Sequence, residues 1–347
     1  MNNFKLILIF LFAVLSCKTE EKPKPEISNL TKSTSDFVIA FGSCNNQNLP
    51  NTFWGEIKKN NPAVWIWGGD IIYSDTEDMK YLEQNYLKQK NNVDYTNFTK
   101  GIDVLATWDD HDYGVNDGGT EYPKKVESQQ LFLDFFDVPK NDKRRIQEGV
   151  YFSKDFTIAN ETVKIILLDT RYFRTALTDD TTSKKRYKPT TDTNATMLGE
   201  KQWKWLQQQL ENSKASYTII MSSIQFLSAE HGFETWGTMP SEIEKLENLL
   251  ISTNTKNVII LSGDRHISEF SKKEVSGLNY PLIDFTSSGL THSYSNFSKE
   301  ANQFRVGNVV AEKSFGILKF DFENNTVQME IRGENNKLYE TFTQKYE

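Results

Sequence analysis

Ala63-Val64-Trp65-Ile66-Trp67-Gly68-Gly69-Asp70-Ile71-Ile72-Tyr73 is the stretch from which the rest of the chain can be read. Five apolar residues, the length of a strand, run into two glycines and then an aspartate. Glycine lets the backbone turn sharply, which would set the aspartate at a sheet edge. A strand-length apolar run ends in such a cluster three more times, in two of them through a glycine. Phe37–Phe41 runs into Gly42-Ser43-Cys44-Asn45, Val104–Trp108 into Asp109-Asp110-His111-Asp112, and Val258–Leu261 into Gly263-Asp264-Arg265-His266. Helical patterns separate these runs near Thr52–Lys59, at Met79–Lys90, at Lys125–Phe136 and at Ser241–Ile251. Leu198–Leu210 is a further helix, with Trp203, Leu206 and Leu210 on one face. Hairpins are expected at Val150–Phe156 with Thr162–Leu168 and at Gly316–Phe322 with Thr326–Arg332, and further strands at Tyr217–Ile220 and Leu282–Phe285. The pattern predicts an α/β (α+β) chain with mixed central sheets in layers, and residues 36–347 read as one domain.

The 347 residues include 23 Phe, 14 Tyr and 7 Trp, enough apolar area for a large core, so disorder is excluded for most of the chain. Two cysteines exclude a disulfide framework. A formal net charge of −7 argues against a general electrostatic nucleic-acid surface. A monomer is expected.

Open α/β sheets place ligands beyond the carboxyl ends of their strands, where all four clusters fall. Singly each signal is weak. A Gly-Asp pair is common in turns, Cys44 alone could be a small buried hydrophobe, and Asp110-His111 alone could be an ion pair. Together they would bring Asp70, Tyr73, Asp110, His111, Asp264 and His266 to one edge, where several buried carboxylates require cations. A metal cluster satisfies that requirement.

Phe41-Gly42-Ser43-Cys44, Gly69–Tyr73, Trp108–Asp112, Leu168-Asp169-Thr170-Arg171, Leu198–Leu206 and Ser262–His266 occur in an order that resembles the PhoD-like (alkaline phosphatase D) family of calcineurin-like metallophosphoesterases. The resemblance implies a four-layer αββα sandwich with metals at the carboxyl edge of the sheets. It implies Cys44, Asp70, Tyr73 and His266 as ligands of Fe³⁺, since thiolate and phenolate suit iron better than Ca²⁺ or Mg²⁺. Asp70 would bridge to a second metal held by Asp110 and Asp264, with Asn116 as a further oxygen donor. That oxygen-rich site suits Ca²⁺, other divalent metals being possible. It further implies hydrolysis of a small phosphate monoester or diester by a metal-activated hydroxide. His111 would act as proton donor, and Arg171 either as a phosphate clamp or as a structural pair with Asp169 or another carboxylate. Rival readings are a phospholipase-C-like diesterase on lipid headgroups and a non-catalytic surface lipoprotein that binds metal or carbohydrate. The chain departs from the family pattern at Asp112, where glutamate is usual and the change is expected to matter little, and at Arg265, where a small or apolar residue is usual. The extra N-terminal β-domain of larger members is not expected in so short a tether.

Met1–Cys17 reads as a signal peptide. Lys5 precedes ten apolar residues, Leu6–Leu15, too few for a transmembrane helix of roughly 20. Val14-Leu15-Ser16-Cys17 resembles a bacterial lipobox, which implies lipidation of Cys17 and a secreted lipoprotein of the outer membrane. The alternative is an ordinary cleaved signal. Residues 18–35, rich in Lys, Glu, Pro, Ser and Thr, have the composition of a flexible tether. His231, His292 and the polar stretch Asp179–Thr193 read as loop features, the last as a surface loop or lid.

Overall fold

Strands that are apolar on both faces need cover on both. The computed structural model, which describes residues 35–347, supplies it with two large sheets packed face to face. The first half of the chain runs β1 (Phe37–Gly42), α1 (Trp54–Lys58), β2 (Val64–Gly68), α2 (Met79–Lys90), α3 (Val93–Thr99), β3 (Asp103–Thr107), α4 (Asp110–Tyr113), α5 (Lys125–Phe135), β4 (Phe152–Ile158) and β5 (Glu161–Leu167). A short ribbon follows, β6 (Thr178–Asp179) with β7 (Tyr187–Lys188). Next come α6 (Gly199–Glu211), β8 (Tyr217–Met221), α7 (Pro240–Ser252), β9 (Val258–Ser262), β10 (Ser268–Lys273) and β11 (Leu282–Ser287). The chain closes with β12 (Arg305–Val310), β13 (Phe315–Asp321), β14 (Thr326–Arg332) and β15 (Leu338–Lys345).

One sheet has the order β15-β14-β13-β1-β2-β3 and the other β12-β10-β11-β9-β8-β5-β4. In the first, β1, β2 and β3 are parallel; in the second, β5, β8, β9 and β11 are. Both sheets are completed by antiparallel strands, so both are mixed, as expected.

Alternation along the strands explains the layering. Ile39, Phe41, Val64 and Ile66 enter the core shared with the second sheet, where the Phe41 ring meets Phe285 edge-on at 4.8 Å and Tyr217 meets Phe320 at 5.4 Å. Ala40, Trp65 and Trp67, one residue out of phase, enter a separate core with Trp54 of α1, Leu82 and Tyr86 of α2, Tyr95 and Phe98 of α3, and Phe132 of α5. The second sheet is backed by α6 and α7, which bury Trp203, Leu206, Leu210, Leu246 and Leu250.

The apolar runs and both hairpins fold as read. The sequence reading missed α3, β10, β12 and β15. Their sequences lack a sustained apolar period, and β12 and β15 are half-exposed strands at the sheet margins that take their shape from a partner. The stretch expected to be a loop or lid contains the β6–β7 ribbon. The signal, Cys17 and tether readings lie outside the described residues. No helix among those described is long and apolar enough to cross a membrane.

Candidate metal centre

Because β1, β2, β3 and β9 end on the same side, the turns that follow them meet. Four side chains in those turns, Cys44 (φ 58°), Asp70 (φ 50°), Asp264 (φ 63°) and His266 (φ 54°), sit on left-handed backbone that ordinary residues avoid. Such strain persists only where the surroundings over-determine it, and it clusters at functional sites. At Gly69 (φ +95°) the requirement is steric as well, since a Cβ there would lie 2.4 Å from the Cβ of Asp109.

Asp112 ties two of the turns together. Its carboxylate accepts the backbone N–H of Asp109 at 2.7 Å, of Ile71 at 3.1 Å and of Asp70 at 3.3 Å. It thereby caps the single helical turn α4 and fixes the backbone of Asp70. At this departure from the family pattern the shorter acid holds the third motif to the second, outside the donor sets.

The predicted ligands come together. Cys44 Sγ lies 3.4 Å from Asp70 Oδ2 and 3.0 Å from Ser288 Oγ. Tyr73 Oη donates to Asp70 Oδ2 at 3.1 Å and lies 3.1 Å from His266 Nε2. Three overlapping sets of donor atoms, each within 4.8 Å of one another, are formed by Cys44, Asp70 and His266; by Asp70, Asp110 and His111; and by Asp109, Asp110 and Asp264. Asp70 belongs to two of these, the position expected of a bridging ligand. Asp110, His111, Asn116, Asp264 and His266 line one cavity of about 300 Å³, with Phe233, Arg265 and Tyr294 around them.

The chemistry of these donors fits cations. Burial pushes the Cys44 thiol up to about 12, helped by the charge of Asp264, so the thiolate needs a metal to form. Burial and the neighbouring Cys44 push Asp70 well above the carboxylate range, and burial with Asp110 lifts Asp264 to about 7. Asp109 Oδ2 is buried with no hydrogen-bond partner among the described residues, an acceptor facing Asp110 and Asp264 with nothing to accept. Burial works against protonating His111, yet Asp70 and a 2.7 Å contact from Nδ1 to Asp75 Oδ2 outweigh it and hold the imidazolium to about 11.

A pH-dependent stability follows. A carboxyl raised by burial is stable in the fold while protonated, so its full contribution is present below its ordinary pKa and lost as pH rises through the folded value. For Asp264 and Asp112 the folded value is about 7. Chelator-treated protein should therefore melt progressively lower from about pH 5 to about pH 8, and added metal should raise the melting temperature more at the upper end. A metal-induced shift that is equal at both pH values would contradict the arrangement.

Arg171 does not take the clamp role. Its guanidinium is fully buried, with Nε 2.7 Å from Asp109 Oδ1, Nη2 on the same oxygen, and Nη1 2.5 Å from Glu234 Oε2. Both edges of the fork are occupied by carboxylates, so a phosphate cannot reach it. The pairing alternative holds, with Asp109 and Glu234 as the carboxylates; Asp169 instead accepts backbone N–H groups, including that of Arg171.

Sequence reasoning also missed Asp75 behind His111, Ser288 behind Cys44, and Ser223, which donates to Asp109 Oδ1 at 2.9 Å from the end of β8. Ser223 and Ser288 follow β8 and β11, so the strand-end rule applied to every parallel strand would have found both. His292, read as a loop residue, packs its ring 4.4 Å from His266 and 5.1 Å from Tyr73.

The two-sheet sandwich with helices outside is the fold of the solved structure of PhoD. That structure superposes with a TM-score of 0.71 at 17% identity, over 89% of this chain and 70% of that one. A dimetal phosphatase from Danio rerio superposes with a TM-score of 0.53 at 13% identity, over 90% of this chain and all of that one. The PhoD-like phosphatase family profile matches residues 39–331, and the chain belongs to that family. It is 27% identical to alkaline phosphatase D of Bacillus subtilis (strain 168) over 193 residues, which span about half of this chain and 32% of that relative.

Proposed function

We propose that the protein is a metal-dependent phosphoesterase that hydrolyses phosphate monoesters, diesters or both. The observation that carries this reading is the convergence of Cys44, Asp70, Tyr73, Asp110, Asp264 and His266 at one sheet edge in a chain of this family. Cys44, Asp70, Tyr73 and His266 would hold Fe³⁺, the ion that suits a thiolate and a phenolate. Asp70, Asp110 and Asp264, all oxygen donors, would hold Ca²⁺. When bound, the metals supply positive charge against the phosphoryl oxygens and lower the pKa of a water. The remaining work falls to the protein. Tyr73 stacks on His111 with ring centroids 4.1 Å apart, and Asp75 fixes Nδ1, which orients the imidazolium in the cavity wall and leaves Nε2 to protonate the leaving oxygen. Lipidation at Cys17 would place the enzyme on a bacterial outer membrane, acting as a monomer on small phosphoesters and not on nucleic acid.

The test is hydrolysis of a paired aryl phosphate monoester and diester by purified protein, with metal analysis of the same sample. Turnover of neither by metal-loaded protein would end this reading. His111→Ala should lower kcat by about 10²-fold with metal content retained. Loss of metal along with rate would make His111 structural.

A further inference from the structure

A phosphoryl group needs a cation that can reach it, and with Arg171 buried the clamp must come from elsewhere. Two arginines line the cavity, Arg265 and Arg186. Arg265 is held in place: its Nη2 meets both oxygens of Glu300 at 2.9 Å, its guanidinium lies 4.3 Å over the Phe233 ring, and it is buried, although its Nε has no hydrogen-bond partner among the described residues.

Arg186 also has a carboxylate partner and lies 5.2 Å over an aromatic ring, that of Tyr187, but it is far more exposed. It lies at the start of the ribbon strand β7, and its side chain is 52% exposed. Among the described residues its one ion pair is with Asp117 Oδ2 at 2.8 Å, and solvent on the arginine side weakens it. The backbone beneath it is firmly placed, because the N–H groups of Arg186 and Tyr187 both donate to Gly232 O, at 3.0 and 2.9 Å. Tyr187 Oη donates to the same Asp117 oxygen at 2.7 Å, and the Asp117 N–H donates to Asp110 Oδ2 at 2.7 Å. When the guanidinium leaves Asp117, that carboxylate, 12% exposed, keeps the tyrosine hydroxyl as a donor. Arginine presents parallel N–H groups that match phosphate oxygens.

Building on the phosphoesterase reading, we propose that Arg186 is the phosphate-contacting residue: it exchanges Asp117 for a non-bridging oxygen of the substrate phosphate. The ribbon that carries it is thus a substrate-binding element fixed to the metal ligand Asp110 through Asp117.

The experiment compares wild type, Arg186→Ala and Arg186→Lys for binding of inorganic phosphate to metal-loaded protein by calorimetry, for KM and kcat on an aryl phosphate, and for metal content. Arg186→Ala should weaken phosphate binding and raise KM together by about tenfold or more, with kcat changed less and metal content unchanged. Arg186→Lys should recover part of the loss, since it restores the charge without the fork. Phosphate affinity equal to wild type in Arg186→Ala would overturn the assignment, as would a loss traced to missing metal. Wild-type protein that binds phosphate but hydrolyses no ester would count against the phosphoesterase reading, and the binding comparison would still decide the role of Arg186.

Discussion

Asp70→Asn is expected to abolish turnover and metal uptake together while leaving the fold intact. The carboxylate belongs to both donor sets that share it, so its loss removes a ligand from each proposed metal at once. Losing the charge stabilisation that metals give a phosphoryl transfer corresponds to about 10³-fold or more in kcat. The turn itself should survive. Its backbone is held by Asp112, and asparagine tolerates the left-handed conformation that Asp70 adopts. Burial and the neighbouring Cys44, Asp110 and Asp109 disfavour the ionised Asp70, so the neutral amide should make chelated protein more stable at alkaline pH than chelated wild type. The signature is thus a higher melting temperature without metal and almost no further rise when metal is added. Wild-type metal content, or substantial turnover, in this variant would remove the basis of the assignment.

Arg171→Ala should be the most destabilising single substitution near the site, and through the fold, not through substrate binding. It leaves Asp109 and Glu234, both fully buried, without their shared cation, a change that typically costs about 3–5 kcal/mol. Arg174, whose Nε lies 2.9 Å from Glu234 Oε1, offsets part of the loss on that side; Asp109 keeps only the hydroxyl of Ser223 and its own helix-cap contacts. Lysine should rescue poorly, because one ammonium cannot serve two carboxylates on opposite edges of a fork. Denaturant unfolding measures the loss, and KM of whatever folded enzyme remains should match wild type. An Arg171→Ala protein of normal stability with a raised KM would restore the clamp role that the geometry denies it.

The two arginines show where reading the sequence stops. Leu168-Asp169-Thr170-Arg171 lies at a strand end, the same local signal that correctly located Asp70 and Asp264. What separates a ligand-facing side chain from a buried one at such a position is the identity of its neighbours, and those of Arg171 come from residues 62 and 63 positions away. Arg186 lay in a stretch read as a polar loop, with no apolar period or motif to mark it. Only the pairing of its ribbon with Gly232 puts it in the cavity wall.

Local chemistry was enough to determine the alternation of strands and helices, the four acidic or thiol-bearing turns and the need for cations. Apolar period and glycine position are properties of a few consecutive residues, and burying several carboxylates together is unfavourable in any fold. The tertiary structure alone decided which carboxylates cluster as candidate metal donors and which pair with arginine, which arginine is exposed in the cavity wall, and that Asp112 holds the Asp70 turn in place. Each of those depends on distances between segments far apart in the chain, set by the register of two sheets and invisible until they pack. The stretch from Ala63 to Tyr73 is legible as strand and turn by itself, whereas the partners of Asp70 and Tyr73, Cys44 and His266, are fixed only when β1 and β9 end beside it.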